Sequence, residues 1–506
     1  MRKRLIALFA IPAIAMIATQ SSGQGAKPVR GGSFVVAANT ELAALDPTQV
    51  AGAENARMFN QNVLEGLVAI AENGKITPVL ATALPKVSSD GTEYTFTLRK
   101  GVKFHDGSAF TSTDVKAKFD RARTKDSGHT APTFFEDITT INTPDENTVV
   151  FKLGKVNTSF LLNLAQPESV IEPSELFTSK EGLEKLKSDP IGTGPFKLKA
   201  WNRGSSIVLE RNADYYLKGL PYLDNVTFRF FGSDDGARVN ALKSGDVDAI
   251  GAPAEQAKAL QADPKFKVYN GVSTGEITIS MNNQRKPFND IRVRRALTLA
   301  TNKKEIVDGA FFGFGTVIGS FNSPGQPYYI DLASRYSYNL EKAKSLLKEA
   351  GAENLSFKFT VANEFPIERR TAEVWAAQLS EIGVKVEIEL VPFNTWIQKV
   401  FLGKDYDTTI IGHAEAADLD RYARDGYYFN WDNKGYKALL DKAEATLDSA
   451  ARTRLYWQAQ TLLADQAPGI WVFSAAAITA TQANVNGWWK TSPTPNYNVV
   501  RVFKTK

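Results

Sequence analysis

The sequence predicts an α/β protein of two or three lobes. The chain has 506 residues, and a single hydrophobic core stops growing at about 250–300 residues, so more than one lobe is expected. Hydrophobic residues make up 43% of the chain and charged residues 23%. These values are typical of globular proteins and argue against disordered, collagen-like or coiled-coil chains. Strand and helix patterns also alternate between residues 355 and 391, as they do in α/β sheets.

The segment 355–391 has the clearest secondary-structure pattern. Apolar residues occupy the odd positions from 355 to 361, which indicates a strand with one buried face. A helical pattern then runs from about Glu368 to Ile382, and a second alternating strand spans 384–390. Two strands joined by a helix are expected to pair in parallel with a right-handed crossover. Just upstream of the first strand, Asn339 can cap a further helix. We therefore predict an α/β lobe over about 280–480 that includes all of these elements.

The N-terminus predicts export. Three basic residues, Arg2, Lys3 and Arg4, precede an apolar run over 5–18 and a small, polar stretch over 19–26. The apolar run is shorter than the ~20 residues that a bilayer span needs. Residues 1–26 are therefore interpreted as a secretory signal peptide, with an uncleaved anchor as the alternative. The chain has no cysteine, which excludes disulfides, thiolate metal sites and lipid attachment to an N-terminal cysteine. We expect an unanchored protein of the periplasm.

The charge distribution argues against a nucleic-acid partner. The net charge is +5, and three of the positive charges lie in the predicted signal peptide. Little net charge remains for the mature chain, and no dense basic stripe occurs in it.

Catalytic and metal-binding signatures are weak. The three histidines, His105, His129 and His413, have no histidine or cysteine neighbour at metal-ligand spacing, so structural or surface roles are expected. The acid pairs Asp246/Asp248 and Asp418/Asp420 do not establish glycosidase geometry, which needs carboxylates ~5–10 Å apart across a sugar. Glycines over 313–319 have the wrong spacing for a nucleotide-binding motif. We expect neither an enzyme nor a cofactor or metal.

Several segments carry a family resemblance. The most specific is 94–107, YTFTLRKGVKFHDG, followed by Phe110-Thr111 and Asp114-Val115. Further segments are Glu65-Gly66-Leu67, 192–196, 244–248 and 282–297. In this order they resemble the extracytoplasmic solute-binding proteins of peptide, nickel and oligosaccharide ABC importers, of the large dipeptide- and oligopeptide-binding type. The resemblance covers essentially the whole mature chain.

This resemblance implies a hinged, two-lobed periplasmic binding protein with an extra third domain. One discontinuous lobe (lobe I) is expected from 27–75, 190–275 and 485–506, the extra domain from 76–189, and lobe II from 276–484. The ligand, a small molecule or short peptide, is expected between the two lobes, which close by a hinge motion. The implied partners are ABC permease subunits of the inner membrane, and we expect a monomer.

Ligand-contacting residues are expected in loops at strand ends. In lobe I these are Thr40, Glu41 and Thr193, the last within a glycine loop whose bare backbone admits close approach. Asn282, in the last of the resembling segments, is also a candidate.

In lobe II, residues 412–422 occupy the place where peptide-binding relatives carry an acid that pairs with the peptide amine. Glu415, Asp418 and Asp420 are the candidate acids, and a solvated acidic loop is the alternative. Relatives often have tryptophan and proline where this chain has His413 and Leu419, and this departure weighs against a peptide ligand.

Other lobe II candidates are basic and aromatic. Arg369 and Arg370 fall where dipeptide-binding relatives hold the ligand carboxylate, and a solvent-facing helix start is the alternative. Aromatic walls are expected from Phe393, Trp396 and Trp431, with core packing as the alternative.

Short peptides are therefore the first ligand class, followed by opine-like conjugates or oligosaccharides; nickel complexes fit less well. A secreted hydrolase and a structural envelope protein are the rival functional classes.

Overall fold

The computed structural model describes residues 26–50, 53–413, 419–494 and 496–506, so the predicted signal peptide lies almost wholly outside the described residues. The strands are, in chain order, β1 (Ser33–Ala38), β2 (Val68–Ile70), β3 (Ile76–Pro78), β4 (Lys86–Val87), β5 (Glu93–Thr97), β6 (Ile138–Asp145), β7 (Thr148–Leu153), β8 (Phe196–Asn202), β9 (Ser206–Arg211), β10 (Asn225–Phe230), β11 (Ala249–Gly251), β12 (Phe266–Gly271), β13 (Glu276–Met281), β14 (Gly315–Val317), β15 (Ser356–Ala362), β16 (Lys385–Val391), β17 (Thr408–His413), β18 (Gly469–Ala475), β19 (Ala477–Gln482), β20 (Val485–Asn486) and β21 (Phe503–Lys504).

The helices are α1 (Ala53–Phe59), α2 (Ser112–Arg123), α3 (Phe160–Asn163), α4 (Lys180–Leu186), α5 (Asp235–Ser244), α6 (Ala254–Ala262), α7 (Ile291–Leu299), α8 (Lys303–Phe311), α9 (Leu340–Glu349), α10 (Pro366–Ser380), α11 (Phe393–Trp396), α12 (Lys434–Glu444) and α13 (Ser449–Gln466). Among the described residues, none of these helices combines the length and the apolar character that crossing a membrane requires.

Lobe I is built on a seven-stranded sheet in the order β12-β19-β11-β1-β10-β9-β8. Its central strand, β1, pairs in parallel with β10 and with β11. Phe34 and Val36 of β1 are fully buried, as expected for an apolar strand that is covered on both faces.

Lobe II is built on a six-stranded sheet in the order β14-β18-β13-β17-β15-β16. Strands β15 and β16 pair in parallel from Ser356↔Lys385 to Ala362↔Val391, and α10 connects them. The strand–helix–strand prediction is therefore confirmed. Asn339 caps α9 as predicted, because its side chain accepts a hydrogen bond from the backbone N–H of Lys342 at 2.9 Å.

Two chain segments cross between the lobes. The first lies between β12 and β13, and the second lies at Ala476, between β18 and β19. Strand β19 pairs with β11 and β12 in the lobe I sheet. The sequence placed this second boundary after residue 484, so the observed crossing comes earlier. The alternating pattern of a strand is the same in either sheet. The sequence therefore did not show that the chain crosses between the lobes just before β19.

The extra domain holds a four-stranded sheet in the order β4-β5-β7-β6. The alternating residues Tyr94, Phe96 and Leu98 are buried in its core. A capping box begins α2: Asp114 accepts from the Thr111 backbone N–H at 2.8 Å, and Thr111 Oγ1 accepts from the backbone N–H of Thr113 at 3.3 Å.

The extra domain also touches lobe II. Gly91, in the turn between β4 and β5, has a φ of +72° and packs against Leu447, which lies between α12 and α13. A Cβ at position 91 would overlap the leucine side chain, so the contact depends on glycine for both conformation and space.

Candidate functional site

A cavity of about 160 Å³ lies in lobe I beside both crossing segments. Its wall includes the start of β19, directly after the second crossing, and Ser492, which forms a bridge with Ser273 at the first crossing. The cavity therefore lies at the hinge side of the cleft between the lobes. Other lining residues are Asn39, Arg57, Trp488, Lys490, Asn496 and Tyr497.

Asn496 is the most unusual residue of this wall. Its side chain is 7% exposed, and neither Oδ1 nor Nδ2 has a hydrogen-bond partner among the described residues. A buried, unsatisfied polar group costs about 1–3 kcal/mol. Native proteins leave few such groups, and each calls for an explanation. Both atoms have almost no solvent-accessible surface, so the protein encloses the amide and other atoms of Asn496 line the cavity.

Arg57 of α1 lies in the same wall. Its Nη1 donates to Glu54, and the side chain is 34% exposed. The backbone N–H of Tyr497 donates to the Arg57 carbonyl oxygen at 2.8 Å, which attaches the C-terminal segment to α1. Burial raises the pKa of the Tyr497 hydroxyl, and the positive charges of Arg57 and Arg238 oppose that rise.

The predicted residues at the end of β1 lie next to this cavity. Thr40 and Glu41 are exposed, and Glu41 Oε1 accepts from Trp201 Nε1 at 3.1 Å. The neighbouring Asn39 lines the cavity. Neither Thr40 nor Glu41 lines the cavity itself, and their role as ligand contacts stays a prediction.

Thr193 requires a correction. It is 1% exposed, and its Oγ1 donates to the buried Oε2 of Glu65 at 2.8 Å. A Cβ at Gly192 would overlap the carbonyl oxygen of Val63. The space beside this glycine is therefore filled by protein backbone, and the loop joins two parts of lobe I instead of admitting a ligand.

Asn282 also has a structural role in place of the expected ligand contact. Its Nδ2 donates to the carbonyl oxygens of Lys404 and Tyr406, both at 3.1 Å. Its Oδ1 accepts from Asn430 Nδ2 at 2.9 Å. These bonds hold together the chain segments around the end of β13.

The two adjacent arginines, Arg369 and Arg370, have different environments in the structure. Arg370 Nε donates to the carbonyl oxygen of Ala310 at 2.9 Å, and its guanidinium lies 5.3 Å from the Phe312 ring centroid. It therefore fastens the end of α8 and is not placed as a ligand contact. Arg369 is half-buried, and its Nε has no partner among the described residues, so it stays a candidate.

Glu368 connects α10 to the predicted acidic loop. It is buried and accepts from the backbone N–H of Gly412 at 3.2 Å, and burial raises its pKa. The start of α10, with Arg369, therefore adjoins the segment that begins at residue 412. Glu415 and Asp418 themselves lie outside the described residues. Asp420 forms an ion pair with Arg424 at 2.7 Å, with about half of each side chain exposed, so its carboxylate is already paired.

Of the aromatic candidates, Trp396 belongs to the core. It is 3% exposed, and its Nε1 donates to Thr409 Oγ1 at 2.7 Å. Phe393 and Trp431 are partly buried and pack on aromatic neighbours, Phe393 at 5.8 Å from Trp396 and Trp431 at 5.4 Å from Tyr436. Only these two retain exposed ring surface.

Sequence reasoning did not single out three residues that line the cavity, Asn39, Arg57 and Asn496. They come from three distant parts of the chain, and none belongs to a recognisable motif. The unsatisfied amide of Asn496 is visible only after folding. Within the part of the chain that the structure describes, no group of three or more histidine, cysteine or acidic residues is arranged to hold a metal ion.

Two α/β lobes joined by two crossings, with a polar cavity beside the hinge, define a protein that binds a solute between lobes. The model of the bacterial extracellular solute-binding proteins, family 5, matches residues 75–450. The chain belongs to this family, and the predicted fold class and family are confirmed.

Individual relatives are similar over nearly the whole chain. The glutathione-binding protein GsiB of Pectobacterium atrosepticum is 30% identical over 484 residues, which covers 90% of this chain and 91% of that protein. Its namesake from Salmonella typhimurium is 29% identical over 480 residues, with the same coverage.

Solved structures agree with this fold. The structure of AgaA from A. tumefaciens R10, in complex with agropinic acid, is similar with a TM-score of 0.74 and 30% identity, covering 94% of this chain and 99% of that one. The structure of the oligopeptide-binding protein AppA from Bacillus subtilis, in complex with a nonapeptide, is similar with a TM-score of 0.75 and 26% identity. The match covers 95% of this chain and 100% of that one.

Proposed function

We propose that this protein is the non-catalytic, periplasmic binding component of an ABC importer. It captures a short peptide between its lobes and delivers the peptide to permease subunits of the inner membrane. The N-terminal signal predicted over residues 1–26 supports export. Family membership supports the binding role.

The observation that carries the proposal is the match of the solute-binding family model over residues 75–450. It falls on a chain in which two segments cross between two sheets, and a cavity lies beside these crossings.

The relatives indicate which peptide to test first. Proteins named for glutathione binding match this chain over 90% of its length, and glutathione is a tripeptide. The second candidate is an opine-like conjugate, because the similar structure of AgaA contains agropinic acid.

The test is thermal unfolding of the mature protein with glutathione, di- to pentapeptides, agropinic acid and oligosaccharides. A ligand at 100 times its Kd stabilises by about 2.7 kcal/mol, which shifts the midpoint visibly. We expect peptides to produce the shift and to be recovered intact. Intact recovery argues against the hydrolase class. A protein that responds to none of these peptides contradicts the proposal.

A further inference from the structure

The two crossings between the lobes are bonded to each other. The first, between β12 and β13, contains Ser273, and the second lies at Ala476. Ser273 Oγ donates a hydrogen bond to the carbonyl oxygen of Ala475 at 2.5 Å. The backbone N–H of Ala475 donates to the carbonyl oxygen of Gly275 at 3.1 Å. The residue just before the second crossing therefore uses both of its backbone groups to hold the first crossing.

Ser273 is bonded to lobe II through its carbonyl oxygen as well. This oxygen accepts from Ser323 Oγ at 3.2 Å, and Ser323 is fully buried in lobe II. The Ser273 hydroxyl also accepts from the backbone N–H of Gly275 at 3.0 Å. A hydroxyl has a single donor, which here is committed to Ala475. Two separate bonds, at the hydroxyl and at the carbonyl oxygen, thus connect Ser273 to lobe II.

Lobe I holds the same stretch of chain from the other side. Ser492, in the C-terminal segment of lobe I, forms a bridge with Ser273, and its backbone N–H donates to the carbonyl oxygen of Val272 at 3.1 Å. The neighbouring Thr491 Oγ1 donates to the carbonyl oxygen of Glu72 at 2.5 Å, which fixes this segment to the turn between β2 and β3. Lobe I, lobe II and the second crossing therefore meet at Ser273.

This position makes the bonds of Ser273 sensitive to the rotation of the lobes. Hinge rotation is absorbed by backbone angles in the few residues that join two rigid bodies. Because Ser273 is paired with lobe I and bonded to lobe II, a rotation changes the distances from Ser273 to Ala475 and to Ser323. One net hydrogen bond shifts an equilibrium about two- to tenfold.

We infer that Ser273 is a hinge lock: its hydroxyl and its carbonyl oxygen stabilise the form in which the extra domain touches lobe II. The inference goes beyond the proposed function, because it concerns the rotation of the lobes and holds for any ligand. Loss of either bond shifts the protein toward a form in which the lobes lie further apart.

The test measures the distance between the lobes in the unliganded mature protein. The chain has no cysteine, so Lys125→Cys and Lys442→Cys can carry two dyes with no other site of labelling. Lys125 is exposed in the extra domain, and Lys442 is exposed on α12 of lobe II. The extra domain is bonded to lobe I, since His105 Nε2 donates to the carbonyl oxygen of Gly194 at 3.0 Å. The dye pair therefore reports the rotation of lobe I against lobe II.

Single-molecule energy transfer gives the ratio of the short-distance form to the long-distance form. We expect this ratio to fall about two- to tenfold in Ser273→Ala and in Ser323→Ala, because each variant loses one of the two bonds. Ser273→Thr retains the hydroxyl and should stay within twofold of the wild type. The control is Ser345→Ala, which removes a hydroxyl that donates to Glu349 at 3.0 Å on the exposed side of α9 and should not change the ratio.

Two results would overturn the hinge lock. The first is an unchanged ratio in both alanine variants, even if they unfold at a lower temperature, because Ser273 then has a structural role only. The second is a wild-type protein with a single fixed distance. If Ser273→Ala does not fold, Ser323→Ala decides. No ligand is used, so these failures leave the peptide function intact, and a protein that binds no peptide leaves the hinge lock intact.

Discussion

Thr193 and Glu65 share a buried hydrogen bond of 2.8 Å that ties the glycine loop before β8 to the segment before β2. The other carboxylate oxygen of Glu65 accepts from the hydroxyls of Tyr215, at 2.9 Å, and Tyr216, at 3.2 Å. Burial raises the pKa of Glu65 to about 7, and these hydrogen bonds oppose part of that rise. A motif residue that resembles a ligand contact thus belongs to a buried polar network.

The raised pKa of Glu65 predicts a pH-dependent stability. Between its ordinary value of 4.5 and about 7, the folded protein retains a proton that the unfolded chain releases. The free energy of unfolding therefore falls as the pH rises through this window, by up to about 3 kcal/mol from this group. Urea unfolding at pH 5 and pH 7.5 should show a loss that is smaller in Glu65→Gln. An equal loss of stability in the wild-type protein and in Glu65→Gln would show that other titratable groups cause the pH dependence.

Lys118 and Glu172 are fully buried at the junction between the extra domain and lobe I, and neither charged group has a hydrogen-bond partner among the described residues. Burial raises the pKa of Glu172 well above its ordinary value, and the positive charge of Lys118 opposes that rise. Lys118→Met alone should destabilise by about 1–3 kcal/mol, because Glu172 then loses a nearby charge that favours its ionised form and remains a buried group without a hydrogen-bond partner. Lys118→Met with Glu172→Leu should recover most of that loss. Urea midpoints measure both effects.

The matched control for this pair is Lys304→Met. Lys304 pairs with Asp308 on the surface at 2.6 Å, and such exposed pairs contribute about 0–1 kcal/mol. If the double variant loses as much stability as the two single variants added together, Lys118 and Glu172 do not compensate each other.

The contact between Gly91 and Leu447 spans the extra domain and lobe II. Since hinge opening would move lobe II away from the extra domain, this contact favours the closed form of the protein. Leu447→Ala should therefore weaken ligand binding about three- to tenfold by shifting the population toward the open form. Titration calorimetry measures the Kd, and small-angle scattering measures the expected larger radius of gyration. Leu402→Ala, at another exposed leucine of lobe II, should change neither.

Arg370 provides a test of the structural role that its hydrogen bond to Ala310 indicates. Arg370→Gln removes the hydrogen bond to Ala310 and should lower the free energy of unfolding by about 1–3 kcal/mol, while the ligand Kd stays within twofold. Thermal unfolding and calorimetry of the same sample check both parts. A large loss of affinity in a stable Arg370→Gln protein would return this residue to the ligand site.

Local patterns allowed much of the fold to be predicted. The parallel pair β15–β16, the Asn339 cap and the capping box at Thr111 each depend on residues close together in sequence, so the sequence alone specified them. The family motifs identified the class for the same reason, because each is a short run of residues that can be read without the fold.

The cavity beside the crossings depends on contacts between distant residues. Arg57 and Asn496 are brought together when the C-terminal segment packs on α1, and no local pattern connects them. Likewise, the sequence shows that Gly192 lacks a side chain, but only packing determines that the Val63 backbone occupies the space beside it. The sequence by itself determined the family and the fold class; the tertiary structure decided where the chain crosses between the lobes and which side chains are bonded within the protein, because sheet pairing, hydrogen-bond partners and burial exist only in the folded chain.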